Sequence, residues 1–216
     1  MTTKVALGVA LAFVAWGAMF GVDRRGFWTR AAVAAASIAA YAVGVDTGAI
    51  GHLLARRHWA ADLGVGLASG LVFYAVFWVG EQLLVIVLPA LAAEVGDLYS
   101  VKGRGSTAQL LVVLAVAAPG EELFFRGLLW HRAGVVAALV IYAAVHLPER
   151  KVILPVAALV GGAWWGALFV WTGGLVAPIA SHLLWIVLIV AVQPATPTGW
   201  ALRLSARLHP DVPVAP

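Results

Sequence analysis

The sequence has no cysteine, and only 11% of its 216 residues are charged, against about 25% in an ordinary soluble domain. The first absence excludes a disulfide-stapled domain and any Cys-ligated zinc or iron–sulfur centre. The second excludes a disordered chain, which needs high charge and low hydrophobicity. It also leaves too few polar groups to cover a soluble domain. No run of five or more Lys or Arg occurs, so the net charge of +4 does not point to nucleic acid as a partner. Scattered cations in short segments are instead what sets the topology of a membrane protein. What is present in quantity is apolar: 63% hydrophobic residues, with 23 Gly and 10 Trp. The expected fold is all-α, a polytopic membrane helix bundle.

A spanning helix needs about 20 apolar residues. Seven candidate spans meet or approach that length, with eight as the alternative count. They cover about 5–22, 27–50, 63–88, 107–130, 133–147, 152–171 and 175–192. The first has an apolar stretch too long for a signal peptide and no small-residue cleavage site after it, so it reads as a retained helix. Residues 90–106 carry Glu94, Asp97, Lys102 and Arg104 and read as an interfacial loop or short surface helix. Pro119-Gly120 should kink the fourth span. Gly161, Gly162 and Gly166 should allow close helix packing in the sixth, and Gly173-Gly174 should make a tight turn. Pro194, Pro197, Pro210, Pro213 and Pro216 predict a tail that is non-helical or frayed. The chain thus divides into N-terminal spans and an interfacial loop (1–106), a core (107–193) and a flexible tail (194–216).

Seven spans place the termini on opposite sides. One side then holds Arg24, Arg25, Arg30, Lys102, Arg104, Arg150, Lys151, Arg203 and Arg207; the other holds Lys4, Arg56, Arg57 and Arg132. The positive-inside rule favours an outside N-terminus and a cytoplasmic C-terminus.

Ionisable groups inside a bilayer are costly and mark functional sites by default. Glu121, Glu122, Arg126, His146 and His182 stand out, with Glu81 a weaker candidate. At 1.5 Å per residue, Glu121 and His146 lie about 15 and 20 Å below the turn at His131-Arg132, and His182 about 12 Å below Gly174. Both turns are on the same side, so three helices bring one carboxylate and two imidazoles to similar depths, where one water-accessible cavity can hold all three. Glu122 and Arg126 are four residues apart and can pair. Glu121 points about 100° away and is left for general-base chemistry. Each histidine alone also suits a satisfied packing residue, and Glu122–Arg126 suits a buried ion pair of mainly structural value. Trp164, Trp165, Trp171, Trp185 and Trp200 read as interfacial anchors and packing residues.

These residues resemble a known family. Ala118-Pro119-Gly120-Glu121-Glu122-Leu123-Phe124-Phe125-Arg126-Gly127 is similar to a Glu-Glu-x-x-x-Arg motif. Tyr142-Ala143-Ala144-Val145-His146 is similar to Phe-x-x-x-His, with Tyr for Phe, and the run from Gly173 to His182 resembles the approach to His-x-x-x-Asn/Asp. The three motifs occur in the order seen in the CAAX protease and bacteriocin-processing (Abi-type) intramembrane endopeptidases. The resemblance covers about residues 107–190. It departs at Ile186, where the family has Asn or Asp that helps hold the oxyanion; Trp185, one residue earlier, has an indole N–H to offer.

The resemblance implies an intramembrane endopeptidase in which Glu121 activates water, His146 helps position it and His182 stabilises the oxyanion. Glu122, Arg126, Tyr142 and Trp185 support the site. No cofactor is the favoured expectation. The family has been described both as glutamic and as metallo-type, and a zinc ion on Glu121, His146 and His182 stays the alternative; partners that would orient the two histidines are not apparent in the sequence. The expected partners are the lipid bilayer and a membrane-anchored protein or peptide substrate. The composition looks bacterial, which points to an inner membrane and to anchor removal or prenyl- or bacteriocin-type processing. The reading from a different class is a non-catalytic scaffold or immunity protein that grips a peptide in the same cavity, which Ile186 favours.

Overall fold

A computed structural model describes residues 2–20, 26–55, 58–100, 105–193 and 198–211. Among these there is no strand. The helices are α1 (Thr3–Phe20), α2 (Phe27–Leu54), α3 (Trp59–Val87), α4 (Pro89–Tyr99), α5 (Thr107–Glu122), α6 (Val135–Ala144), α7 (Ile153–Thr172), α8 (Val176–Val187) and α9 (Gly199–Leu208). A π-helical stretch, Leu123–Trp130, and one turn, His131–Ala133, prolong α5, and a second π-helical stretch, Leu188–Val192, prolongs α8. Among the described residues, five helices are long and apolar enough to cross a membrane: α1, α2, α3, the α5 unit over Ala108–Ala133, and α7. The segments Val135–Glu149 and Val176–Val192 are apolar but shorter. Five of the seven expected spans thus reach spanning length and two are shorter apolar segments; the chain is a polytopic membrane helix bundle.

Local sequence explains most of the boundaries. Ser106 and Gln109 form a reciprocal capping box at the start of α5, with Gln109 N–H donating to Ser106 Oγ and Ser106 N–H to Gln109 Oε1. Pro89 begins α4, where a missing N–H costs nothing. Gly173 closes α7 in the left-handed conformation, φ 68°, with its N–H on the carbonyl of Phe169. Pro119 lies inside α5, and the departure from α geometry comes after it, in the π-helical stretch. Such stretches are rare and recur at functional sites. The α2 backbone breaks at Asp46 (φ −142°, ψ 47°), whose carboxylate takes the Arg132 guanidinium at 2.7 Å.

The tail differs from its expectation. The stretch between Pro197 and Pro210 contains no proline, and Gly199–Leu208 forms a helix that buries Ala201 and Ser205. Thr198 binds Gln82, and His209 Nε2 meets the carbonyl of Ile86 on α3 at 2.9 Å. Helical propensity between two prolines outweighed the proline count. Residues 194–197 and 212–216 lie outside the described residues, as do Asp23, Arg24, Arg25, Arg56, Arg57, Lys102 and Arg104, on which much of the topology reading rests.

Side chains from several helices fill the core, including Ile38, Phe73, Phe124, Phe125, Leu128, Leu129 and Trp165. Large apolar groups such as Leu7, Val14, Val33, Leu71, Val136 and Val170 point outward, as lipid contact requires. Two glycines bring α3 close to the backbone of α8. A Cβ on Gly66 would stand 2.5 Å from the Ala177 carbonyl oxygen, and one on Gly70 would stand 2.8 Å from that of Ser181. Lipid tails are as apolar as the helices, so association relies on such close packing. The glycines singled out in α7 act differently: Gly162 makes room for Leu139 and Tyr142, and Gly166 for the Trp130 ring.

Gly70→Val should therefore lower stability by about 1–3 kcal/mol, the usual cost of overpacking. Gly64, on the same helix, has nothing within 4 Å of an added Cβ. Gly64→Ala should match or exceed the parent, by up to about 1 kcal/mol from helix propensity. Thermal unfolding of the two variants in detergent micelles checks both.

Candidate active site

Two adjacent carboxylates at the end of α5 receive opposite surroundings. Glu122 is fully buried. Its Oε1 lies 3.2 Å from Nη1 of Arg126 and 2.9 Å from Nδ1 of His182 on α8. The expected Glu122–Arg126 pair is present, and His182 is added to it. Arg126 also donates from Nη2 to the carbonyl of Gly162 at 3.2 Å. Its guanidinium stands 4.8 Å from the centre of the Tyr142 ring and 5.6 Å from that of Trp165, within cation–π range. A planar, permanently charged group suits so dry a place better than an ammonium would.

Glu121 is half-buried. The Tyr142 hydroxyl donates to its Oε2 at 2.6 Å, and Oε1 has no partner among the described residues. Tyr, standing where the resembling motif has Phe, thus adds a hydroxyl that grips one oxygen of the carboxylate and leaves the other open.

His146 sits in the turn just after α6. Its Nδ1 is 2.7 Å from the Tyr142 carbonyl. A carbonyl only accepts, so Nδ1 carries the proton. Its Nε2 accepts from the indole N–H of Trp16 on α1 at 3.3 Å. These are the orienting partners that the sequence did not reveal. The Trp16 bond spans 130 residues, and no local pattern announces it.

His182 stacks on Trp165, ring centroids 3.6 Å apart and planes at 16°. Trp165, expected as an anchor or packing residue, is buried against the site; Trp171 and Trp200 are exposed as that expectation requires. The Trp185 ring lies 6.0 Å from His182 and 5.5 Å from Trp165. Its Nε1–H is buried and has no hydrogen-bond partner among the described residues, and the same holds for that of Trp165.

Glu121, His146 and His182 are therefore brought to one cluster, linked through Tyr142 and through the Glu122–Arg126 pair. They are not arranged as a metal site: among the described residues no three His, Asp or Glu side chains converge on a point that could hold an ion. Both nitrogens of His146 and Nδ1 of His182 are engaged by protein atoms, so this donor set does not fit zinc as it stands.

A cavity of about 930 Å³ adjoins the cluster. Its walls are mainly apolar, from α3, α4, α7 and α8 with the end of α1 and the start of α2, and Arg150 and Lys151 are among the lining residues. The sequence expectation had the three site residues sharing one cavity; here none of them lines it. Phe20, Trp185 and Ile186 do, and the Phe20 ring lies 6.1 Å from His146. Glu81, the weaker candidate, also lines it, bonded to Gln193 and to Tyr99, whose hydroxyl is pushed up from its ordinary value by burial and by that carboxylate.

Removing one partner from a buried pair leaves an uncompensated charge. Arg126→Ala should lower the yield of folded protein, at a cost of about 3–5 kcal/mol. Arg126→Met combined with Glu122→Gln leaves no charge unpaired and should recover most of that loss, as read by size-exclusion profile and unfolding midpoint.

Residues 103–188 match the family model described as type II CAAX prenyl endopeptidase Rce1-like. No curated protein and no solved structure matches the chain significantly. The matched stretch contains both carboxylates, Arg126, Tyr142 and both histidines, in the arrangement just described, and excludes α1 to α4. Over residues 103–188 this integral membrane protein is thus similar to the type II CAAX prenyl endopeptidases.

Proposed function

We propose that this protein is an intramembrane endopeptidase that hydrolyses a peptide bond near the membrane anchor of a protein or peptide, with Glu121 as general base. The observation that carries this reading is the contrast between the carboxylates. Glu122 is buried and spent on Arg126 and His182, whereas Glu121 is half-buried with one oxygen fixed by Tyr142 and the other open. General-base work needs a positioned carboxylate within reach of water, and Glu121 alone of the two meets that need.

In this reading Glu121 takes a proton from water through Oε1. The hydroxide attacks the scissile carbonyl, and negative charge gathers on its oxygen. His182, held at Nδ1 by Glu122, turns Nε2–H to the oxyanion. Glu121 then returns the proton to the leaving amine as the C–N bond breaks. Ile186 replaces the Asn or Asp of the motif, and the unspent indole N–H of Trp185 is the substitute donor. The substrate's apolar segment lies in the 930 Å³ cavity, whose lining reaches the cluster through Trp185 and Ile186. The preferred setting is a bacterial inner membrane with the N-terminus outside, where removal of a membrane anchor from an exported protein fits better than cytosolic prenyl-protein processing.

One feature favours a second reading. Ile186 lines the cavity where the motif has a polar group, as suits a non-catalytic scaffold or immunity protein that only grips a peptide.

Glu121→Gln should leave the unfolding midpoint unchanged and reduce cleavage of a membrane-anchored substrate in proteoliposomes by about 10²–10⁴, the range for a positioned base. Cleavage that persists under chelator supports the metal-free form, and loss reversed by zinc replaces it. A substrate that binds wild type and Glu121→Gln equally and is never cut makes the scaffold the better account.

The Ile186 position gives a separate test. Ile186→Asn should keep or raise the rate, by at most the 10²–10³ that one oxyanion donor is worth, while Trp185→Phe should lower it without altering the fold. Initial rates at saturating substrate check both directions.

A further inference from the structure

The family match begins at residue 103, yet a direct hydrogen bond to a candidate site residue comes from the first helix. Trp16 is buried, 2% exposed. Its ring packs edge-on against Phe125, centroids 6.2 Å apart, and against His146 at 6.0 Å. A buried indole N–H needs an acceptor, and the acceptor here is Nε2 of His146 at 3.3 Å. The other nitrogen of the same ring donates to the Tyr142 carbonyl. One turn further along α1, Phe20 lies beside the His146 ring and also lines the cavity.

We infer that Trp16 is a positioning residue of the catalytic site: its N–H holds Nε2 of His146 as an acceptor, and so fixes that ring as the neutral Nδ1–H tautomer in one orientation. The chemistry follows from the two bonds. A neutral imidazole has one donor and one acceptor, and which is which is set by its partners. The carbonyl of Tyr142 demands a proton on Nδ1, and the indole of Trp16 demands a lone pair on Nε2; the two demands agree. The other tautomer, with its proton on Nε2, would set an N–H against the N–H of Trp16 and a lone pair against the carbonyl of Tyr142. The effect reaches the proposed base through Tyr142, whose carbonyl takes His146 and whose hydroxyl takes Glu121. The α1 helix therefore belongs to the working site although it lies outside the matched segment. This inference rests on the endopeptidase reading only for its kinetic consequence; the tautomer is a property of the protein by itself.

The test uses the full-length protein labelled with ¹⁵N-histidine in detergent micelles. Two-bond ¹H–¹⁵N correlations distinguish the tautomers, and His146→Gln assigns the signal. Wild type should show His146 as the Nδ1–H form, and Trp16→Phe, which keeps an aromatic ring against Phe125, should show both tautomers in exchange. Loss of an orienting partner of this kind typically costs 10–100-fold, so Trp16→Phe should reduce kcat by that factor with KM little changed. An Nε2–H pattern in wild type overturns the inference even if the variant does not fold. So does a Trp16→Phe spectrum in which His146 stays locked as in wild type. Absence of cleavage by wild type sinks the endopeptidase reading instead, and leaves the tautomer result to stand or fall by the spectrum.

Discussion

A fully buried carboxylate, Glu122, is the constraint that organises the second half of the chain. Moving an isolated carboxylate out of water is prohibitive unless it is paired and hydrogen-bonded. Glu122 meets that demand with Arg126 one helical turn ahead and His182 from α8. Arg126 in turn needs acceptors and finds the Gly162 carbonyl on α7 and the faces of Tyr142 and Trp165. His182 needs a cover, and Trp165 stacks on it. Satisfying one charge thus draws α5, α6, α7 and α8 to a single point. Buried ion pairs seldom stabilise a fold relative to well-packed apolar residues. What this one provides is location: it determines where each of four helices stands.

The backbone contacts explain why the helices can come that near. Gly66 and Gly70 let α3 lie against the carbonyls of Ala177 and Ser181, and Gly120 lets α5 lie against that of Ala35 on α2. Ser181 immediately precedes His182, and Gly120 immediately precedes Glu121. The glycine contacts therefore set the position of the same residues that carry the candidate chemistry. The π-helical stretch that follows Glu122 places Arg126, Phe124, Phe125, Leu128 and Leu129 in the interior together, which gives the pair its dry surroundings.

Much of this was legible in the sequence. Length and hydropathy placed the seven apolar segments, and helical spacing placed Arg126 on Glu122. Depth counted from two turns brought Glu121, His146 and His182 to one level, and the motif carried Tyr142 into the site. What was not legible depends on contacts between distant segments. The Trp16–His146 bond, the stacking of Trp165 on His182 and the sharing of Glu122 by His182 each join residues whose sequence separation hides them. The helix over Gly199–Leu208 was hidden for another reason. Proline disfavours helix at its own position and constrains its neighbour, but says little about the twelve proline-free residues between Pro197 and Pro210, and docking of Ala201 and Ser205 decides the matter.

The contrast between Glu121 and Glu122 also shows how adjacent identical side chains come to differ without any difference in local sequence. A step of one residue turns a side chain through about 100° on a helix. For Glu122 that direction leads to an arginine, a histidine and no water; for Glu121 it leads to a phenol and a partly open space. Glu122 has one oxygen shared by Arg126 and His182 and the other buried away from water, so its worth lies in holding others still. A carboxylate gripped on one oxygen keeps its orientation and still has an oxygen to give. The phenol does this better than a charged partner would, because a guanidinium or ammonium in its place would favour the ionised carboxylate and weaken it as a base. Tyr142, standing where the motif has Phe, is therefore the substitution that suits Glu121 to its proposed task, and its backbone carbonyl binds His146 to the same arrangement.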